Sequence, residues 1–465
     1  MNEKIVVRNP YSNEILDELN KPNTEQINKA FADAHAYWKS DFKHFPAYRR
    51  SEILYNVSNK IATNQELLAM SIAREGGKPL KDARVEVKRA VNTVKMSADY
   101  CLNLSGEQIP MDKSVGTENH IAFTIKEPIG VVLAISAFNH PLNLICHQVA
   151  TAIAAGNTVV LKPAEKTPLT AKLITEFFYD AGLARNALHY LPITGEETQS
   201  ILDNEHISYV SFIGNADIGW KIRKLVRPGV KVMLEHGGTA AAVLDNNANI
   251  NTAIDSIVRG AFYHSGQVCV STQILYVHNE IYKKVKSLLV EKVSKLVVGD
   301  ACKEDTDCGP LITPAVVNKM EVLVEDAMQK GGKILFGGKR LPNNCFEPTL
   351  VKDITSDMLM FKEEVFGPLL GLKVYDNINY IIKEINNSLY AFQTAIYTQD
   401  IDLALFYSRN VEQKAVIIND STAFRVDWMP FGGYKNSGFG TSGVKYAIED
   451  MIENKLIVIK NQYSK

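Results

Sequence analysis

Three short stretches of the chain carry residue types that could act on a carbonyl group. Cys269 follows a glycine turn in Phe262-Tyr263-His264-Ser265-Gly266-Gln267-Val268-Cys269-Val270. A thiolate there could attack a carbonyl carbon and leave again from a thioester. Glu235 lies in Met233-Leu234-Glu235-His236-Gly237-Gly238, where a carboxylate could serve as general base. Asn139 lies in Phe138-Asn139-His140-Pro141, where a side-chain amide could hold an oxyanion. Taken singly, each has a commoner structural use. A cysteine between valines is usually inert core, a glutamate before Gly-Gly is solvated or caps a helix, and an asparagine before His-Pro makes a turn.

Such groups need rigid elements beneath them. Helical patterns fill most of Glu25 to Tyr100, broken by Pro46, Gly76-Gly77 and Pro79. Ile27, Ala30, Ala34 and Trp38 share one face, as do Ile53, Leu54, Val57 and Ile61. Strand-like and helical runs then alternate: Ile129–Ala137, Leu144–Ala155, Thr158–Lys162, Thr170–Asp180, His189–Pro192, Tyr209–Gly214, and a helix from near Ala216. Alternation of this kind implies βαβ units in a mostly parallel sheet, with ligands at the carboxyl ends of the strands. After a break near Gly237-Gly238 the pattern resumes with Ala240–Leu244, Ile254–Tyr263, Ile274–Val277 and Tyr282–Val293, so a second α/β lobe starts close to Gly238. Leu456–Lys460 reads as a strand with an open edge, which usually finds a partner.

Gly438, Gly440 and Gly443 spell the dinucleotide fingerprint GxGxxG, but the context is wrong. No strand leads into it, and Ile457-Val458 stand where an acidic residue should meet the ribose. A glycine-rich turn is the better reading.

Composition excludes several classes. A length of 465 residues calls for two or three lobes. The net charge of -1 provides no basic field for nucleic acid. Six cysteines without CxxC spacing argue against a zinc site and a disulfide framework, and suit a reducing, cytoplasmic setting. The N-terminus has no secretory apolar stretch, and the longest apolar run, Ile129 to Phe138, is too short for a membrane helix.

Together the three stretches resemble the aldehyde dehydrogenase superfamily, nearest its subgroup acting on lactaldehyde and other small hydroxy- or phospho-aldehydes. Four more segments strengthen the resemblance. Gly156–Pro168 looks like the family's cofactor strand and Phe212–Gly219 like its pyrophosphate-side turn. Glu363–Pro368 and Pro430–Gly438 match two further signatures. The separation of 34 positions between Glu235 and Cys269 also fits.

The resemblance implies an α/β fold with a Rossmann-like cofactor domain (1–113 and 130–236), a second α/β catalytic domain (237–435), and a small β element for bridging and oligomerisation (114–129 and 436–465). It implies Cys269 as nucleophile, Asn139 as oxyanion donor and Glu235 as the base that activates water. Lys162 and Glu165 would grip the adenine ribose, Gly214 and Asn215 would face the pyrophosphate, and Glu364 and Phe366 would hold the nicotinamide ribose and ring. Glu165 would repel a 2′-phosphate, favouring NAD, while Lys162 keeps NADP open. A homodimer or homotetramer is expected, with no metal.

Departures from the family pattern bear on substrate. His236 stands where leucine is common, with packing or a local hydrogen bond as its expected role. His140 and His147 replace aromatic residues of enzymes acting on apolar aldehydes, so a polar pocket is expected. Ile418–Asp427, containing Arg425, and Arg84–Arg89 resemble the small-aldehyde subgroup. Arg89 falls where phosphate-handling relatives bind an anion; it could equally lie on a solvated helix face. Val268 replaces a second arginine of those relatives. The expected substrate is a short polar aldehyde of lactaldehyde, glycolaldehyde or semialdehyde type; where it carries an anionic end, Arg89 and His140 would hold it, and Arg425 is a further candidate for binding substrate. The rival functions are a coenzyme A-acylating dehydrogenase, which often lacks the glutamate, and a catalytically silent protein on the same fold.

Overall fold

A computed structural model describes residues 3–462. The ends of the expected 1–113 and 436–465 segments therefore fall outside the described residues.

The N-terminal helices form as their apolar spacing dictates. Thr24–Ser40 starts at Asn23, whose side chain accepts from the Gln26 N–H while Gln26 reciprocates. It buries Ile27, Ala30, Phe31 and Ala34; Trp38 is half-buried. Leu80–Cys101 buries Ala83, Val87, Ala90, Val94 and Ala98, a stripe at helical spacing, and also Glu86. Asn143–Ala155 is buried on every side, as a helix between other layers must be.

Three larger sheets follow, beside two of two strands each among the described residues. The first runs, in spatial order, Gly438–Phe439, Lys231–Glu235, Ile207–Ile213, Val131–Ile135, Thr158–Lys162 and Leu188–Tyr190. All are parallel except the first, which pairs antiparallel to Lys231–Glu235. From Val131–Ile135 the chain moves outward through Thr158–Lys162 to Leu188–Tyr190, then returns to the other side with Ile207–Ile213. That reversal opens a crevice at the carboxyl ends of Val131–Ile135 and Ile207–Ile213, where ligands bind in doubly wound sheets. The second sheet runs Lys333–Phe336, Thr349–Lys352, Leu369–Tyr375, Thr272–His278, Ala240–Leu244, Gln393–Tyr397 and Ala415–Ile418, antiparallel only at Lys333–Phe336.

The third sheet pairs Ile452–Lys460 antiparallel with His120–Pro128, which pairs in turn with Gln108–Ile109. The expected C-terminal strand is thus longer than Leu456–Lys460 and is covered on one edge only. Its Leu456, Val458 and Ile459 are exposed.

The GxGxxG segment is a glycine turn. Gly438 pairs with Glu235, and a β-carbon on it would meet the Leu234 carbonyl oxygen at 2.3 Å. The glycine lets this turn lie against the strand that ends in Glu235. No helix among the described residues is long and apolar enough to cross a membrane.

Candidate active site

The two large sheets meet across a cleft of about 1170 Å³, somewhat above the roughly 300–1,000 Å³ of a single small-ligand site. Its wall includes Asn139, Glu235, Cys269, Lys162, Glu165, Gly214, Asn215, Glu364, Phe366, Arg89, His140 and Arg425. These twelve residues therefore line one continuous space, while His147, expected in the pocket, does not.

Cys269 follows the helix Ile250–Phe262 and precedes the strand Thr272–His278. Between them the backbone turns through left-handed conformations at His264 (φ 49°), Ser265 (φ 54°) and Gly266 (φ 71°). Two non-glycine residues in that region cost about 1–3 kcal/mol each, so the surroundings must hold them. They do: Ser265 Oγ donates to the Gly309 carbonyl at 2.7 Å, and Gln267 Oε1 accepts from the Ile312 N–H at 3.0 Å. A β-carbon on Gly266 would meet the Gly367 carbonyl oxygen at 2.1 Å. This bend delivers the half-buried Cys269 to the cleft. Burial pushes its thiol well above the usual range, the nearby Glu235 carboxylate adds to this, and Arg425 opposes it. The resting thiol is protonated and needs a base.

Glu235 ends its strand and is 2% exposed. Its Oε2 accepts from Ser442 Oγ at 2.8 Å, while Oε1 has no hydrogen-bond partner and lies 3.7 Å from Arg425 Nη1. One oxygen is anchored and the other is buried beside Arg425 without a hydrogen bond. Asn139 follows the strand Val131–Ile135, and its Nδ2 donates to the Gln267 carbonyl at 3.0 Å. Behind it, Glu86 Oε1 caps the next helix by accepting from the N–H groups of Leu142 at 2.9 Å and Asn143 at 3.1 Å. Glu86 also pairs with the fully buried Lys78.

The other end of the cleft suits a dinucleotide. Asn215 caps the helix Ala216–Leu225, accepting from the Asp217 N–H at 2.9 Å, so that helix presents its N-terminus to the crevice. Lys162 is a buried cation at the end of its strand. Glu165 Oε1 accepts from the Gly195 N–H, which fixes the carboxylate. A β-carbon on Gly237 would lie 1.5 Å from Glu364 Oε1, a buried oxygen with no partner. Burial pushes the Glu364 carboxyl up to about 7, against the pull of Lys319. Phe366 (φ 52°) packs edge-on to Phe138 at 5.8 Å. These residues fit a nicotinamide dinucleotide: a helix N-terminus, an anchored carboxylate beside a cation, and an unsatisfied carboxylate near the thiol.

The histidines and arginines need correction. Arg89 is not on a solvated helix face; it lines the cleft and binds Asp427 through Nη2 at 2.7 Å and Nε at 3.3 Å. His140 is buried, which drives its imidazole well below the ordinary value, so it offers no cationic charge. His147 is absent from the wall; its Nε2 lies 2.9 Å from Asp427 Oδ1. His236 packs edge-on to Phe212 and Trp220, with Nδ1 2.8 Å from the Asn436 carbonyl, as a local role requires. Arg425 stacks on Phe431 at 3.6 Å, and its Nε and Nη2 are buried without partners. Reading the sequence missed Ser442 and Asp427. Asp427 ends the segment Ile418–Asp427, but no spacing rule connects it with Arg89.

The fold and cleft define a two-lobed α/β dehydrogenase whose cysteine lines the cleft between the two large sheets. Residues 1–457 match the profile of the aldehyde dehydrogenase family. The chain is 39% identical to 3-sulfolactaldehyde dehydrogenase of Priestia aryabhattai, over 98% of this chain and 95% of that protein. It is 37% identical to lactaldehyde dehydrogenase of Methanococcus vannielii, over 99% and 98%. The crystal structure of aldehyde dehydrogenase 21 from Physcomitrella patens with the reaction product succinate superposes with a TM-score of 0.97 at 36% identity, covering 100% and 96%. Glyceraldehyde-3-phosphate dehydrogenase from Methanocaldococcus jannaschii complexed with NADP gives 0.94 at 36% identity, covering 99% and 100%. The chain belongs to the aldehyde dehydrogenase family. It is an enzyme that oxidises aldehydes with a nicotinamide cofactor.

Proposed function

We propose that this enzyme oxidises a short polar aldehyde with an anionic end to its carboxylic acid, through a thioester on Cys269 hydrolysed with the help of Glu235. The observation that carries this reading is a single cleft wall holding Cys269, Glu235, Asn139 and the partly unpartnered Arg425.

In the proposed sequence Cys269 loses its proton as it attacks the carbonyl carbon. That proton passes to solvent as the carbon–sulfur bond forms, since the Glu235 charge holds it on the resting thiol and Arg425 opposes that hold. The new oxyanion is held by the second N–H of Asn139 and the backbone N–H of Cys269, donors typically worth about 2.7–4 kcal/mol. The nicotinamide ring supplies a hydride acceptor. Glu235 then takes a proton from water as it attacks the thioester, and Ser442 keeps the carboxylate aimed.

Lys162 and Glu165 would hold the adenine ribose, Gly214 and Asn215 the pyrophosphate, and Glu364 and Phe366 the nicotinamide ribose and ring. The anchored Glu165 favours NAD over NADP. Arg425 would bind the anionic end of the substrate, as the names of relatives acting on sulfolactaldehyde and of the succinate complex suggest. The neutral His140 adds a hydrogen bond at most. The division into 1–113 with 130–236, 237–435, and 114–129 with 436–465 follows the three larger sheets except at Gln108–Ile109, which pairs into the third, and Gly438–Phe439, which pairs into the first. The open edge of Ile452–Lys460 suits a homodimer or homotetramer, and the unpaired cysteines suit the cytoplasm.

An NADH-coupled screen of small aldehydes, run with NAD and NADP side by side, tests the reading. Succinic semialdehyde should give the highest kcat/KM, ahead of the uncharged lactaldehyde and glycolaldehyde, and all three should exceed hexanal and benzaldehyde. A clear preference for hexanal or benzaldehyde would overturn it.

A further inference from the structure

Asp427 gathers more donors than an ordinary ion pair. Its Oδ1 accepts from Arg89 Nη2 at 2.7 Å, Asn143 Nδ2 at 3.1 Å and His147 Nε2 at 2.9 Å, and its Oδ2 accepts from Arg89 Nε at 3.3 Å. Its backbone carbonyl accepts from the Val444 N–H at 3.1 Å. The side chain is 4% exposed. One carboxylate therefore locks the helix Leu80–Cys101, the helix Asn143–Ala155 and the loop that carries Arg425.

The electrostatic consequence concerns the substrate end of the cleft. Arg89 and Arg425 bring two guanidinium charges there, and Asp427 and Glu235 bring two carboxylates. His147 is neutral, because burial lowers it to about 4, and His140 is neutral for the same reason. Deeper in the wall Lys78 is paired with Glu86; at the mouth Asp255 is paired with Lys292, and the exposed Arg259 and Asp420 add one charge of each sign. Donors without a protein acceptor remain on Arg425, yet the region has almost no net positive charge. A tail with one negative charge can take those donors. A second negative charge would meet the field of Glu235 and of Asp427 behind Arg89, and the remaining cation in that part of the wall, Arg259, is exposed and screened by solvent.

We infer that Asp427 is a specificity-determining positioning residue: by cancelling Arg89 it tunes the pocket to aldehydes with a singly charged tail, carboxylate or sulfonate, over those with a dianionic phosphate. The inference rests on the anionic-tail reading above and deepens it.

The test compares kcat/KM for succinic semialdehyde and D-glyceraldehyde 3-phosphate at about pH 8, where phosphate is a dianion. Asp427→Asn keeps the shape and removes the charge, and should raise the phosphate-to-carboxylate ratio roughly tenfold. Arg89→Gln leaves Asp427 uncompensated and should lower it. The double variant Arg89→Gln/Asp427→Asn removes both charges and should return the ratio to within about threefold of wild type. A merely structural Asp427 would lower both substrates in parallel, leaving the ratio unchanged in every variant; that result overturns the inference. If Asp427→Asn does not fold, an unchanged ratio in Arg89→Gln overturns it as well. Propanal separates the two readings. A wild-type enzyme that uses propanal as well as succinic semialdehyde would sink the anionic-tail reading itself.

Discussion

Asn139 donates from Nδ2 to the backbone carbonyl of Gln267 at 3.0 Å, two residues ahead of Cys269, and so ties the first sheet to the nucleophile loop of the second lobe. The bond leaves the other amide hydrogen for the cleft. Replacing Asn139 with alanine removes both the tie and the donor. We expect kcat to fall by about 10²–10³, with the cofactor dissociation constant, followed by fluorescence, changed less than threefold. A loss confined to cofactor binding would remove Asn139 from the oxyanion role.

Glu235 and Cys269 should separate into two steps. Cys269→Ala is expected to abolish NADH formation. Glu235→Gln should give a single-turnover burst of NADH and then stall as an acyl-enzyme visible as a mass increase. Steady turnover of that variant at the wild-type rate would show that another group activates water.

Glu165 is fixed by the Gly195 N–H and should discriminate at the ribose. Glu165→Gln is predicted to move the NAD-to-NADP ratio of kcat/KM toward NADP by about tenfold, since a repelling charge is lost. Equal losses with both cofactors would place the ribose elsewhere.

Glu364 gives a pH-dependent stability with a definite sign. Its carboxyl holds its proton to about 7 in the folded enzyme, above its ordinary 4.5. A raised carboxylate favours folding below the unfolded value and loses that contribution as pH climbs through the folded one. Glu364→Gln cannot ionise. Without cofactor it should melt near the wild type at about pH 4.5 and be the more stable by on the order of 1–3 kcal/mol at about pH 8. Thermal denaturation of both proteins across that range checks this. A constant difference would mean that Glu364 is already ionised in the fold.

Much of the scaffold was readable because it is local. Thr158–Lys162, Ala240–Leu244 and Tyr282–Val293 are found at the bounds that their β-rich or amphipathic runs indicate. Other ends moved by a few residues; Ile254–Tyr263, for example, extends back to Ile250, because Asn249 accepts from the Thr252 N–H and caps it earlier. The pocket was harder. His140 and His147 both read as polar lining, yet one is a neutral buried ring in the wall and the other turns away to Asp427.

By itself the sequence determined the α/β alternation, the family, and the placing of a thiol, a carboxylate and an amide at the ends of elements, since each is written in neighbouring residues. Only the tertiary structure decided the charge of the substrate pocket. Arg89 and Asp427 lie 338 positions apart, and Arg425 meets Glu235 only once the lobes close. Electrostatic energy depends on distance in space and on burial, and neither can be read from spacing along the chain.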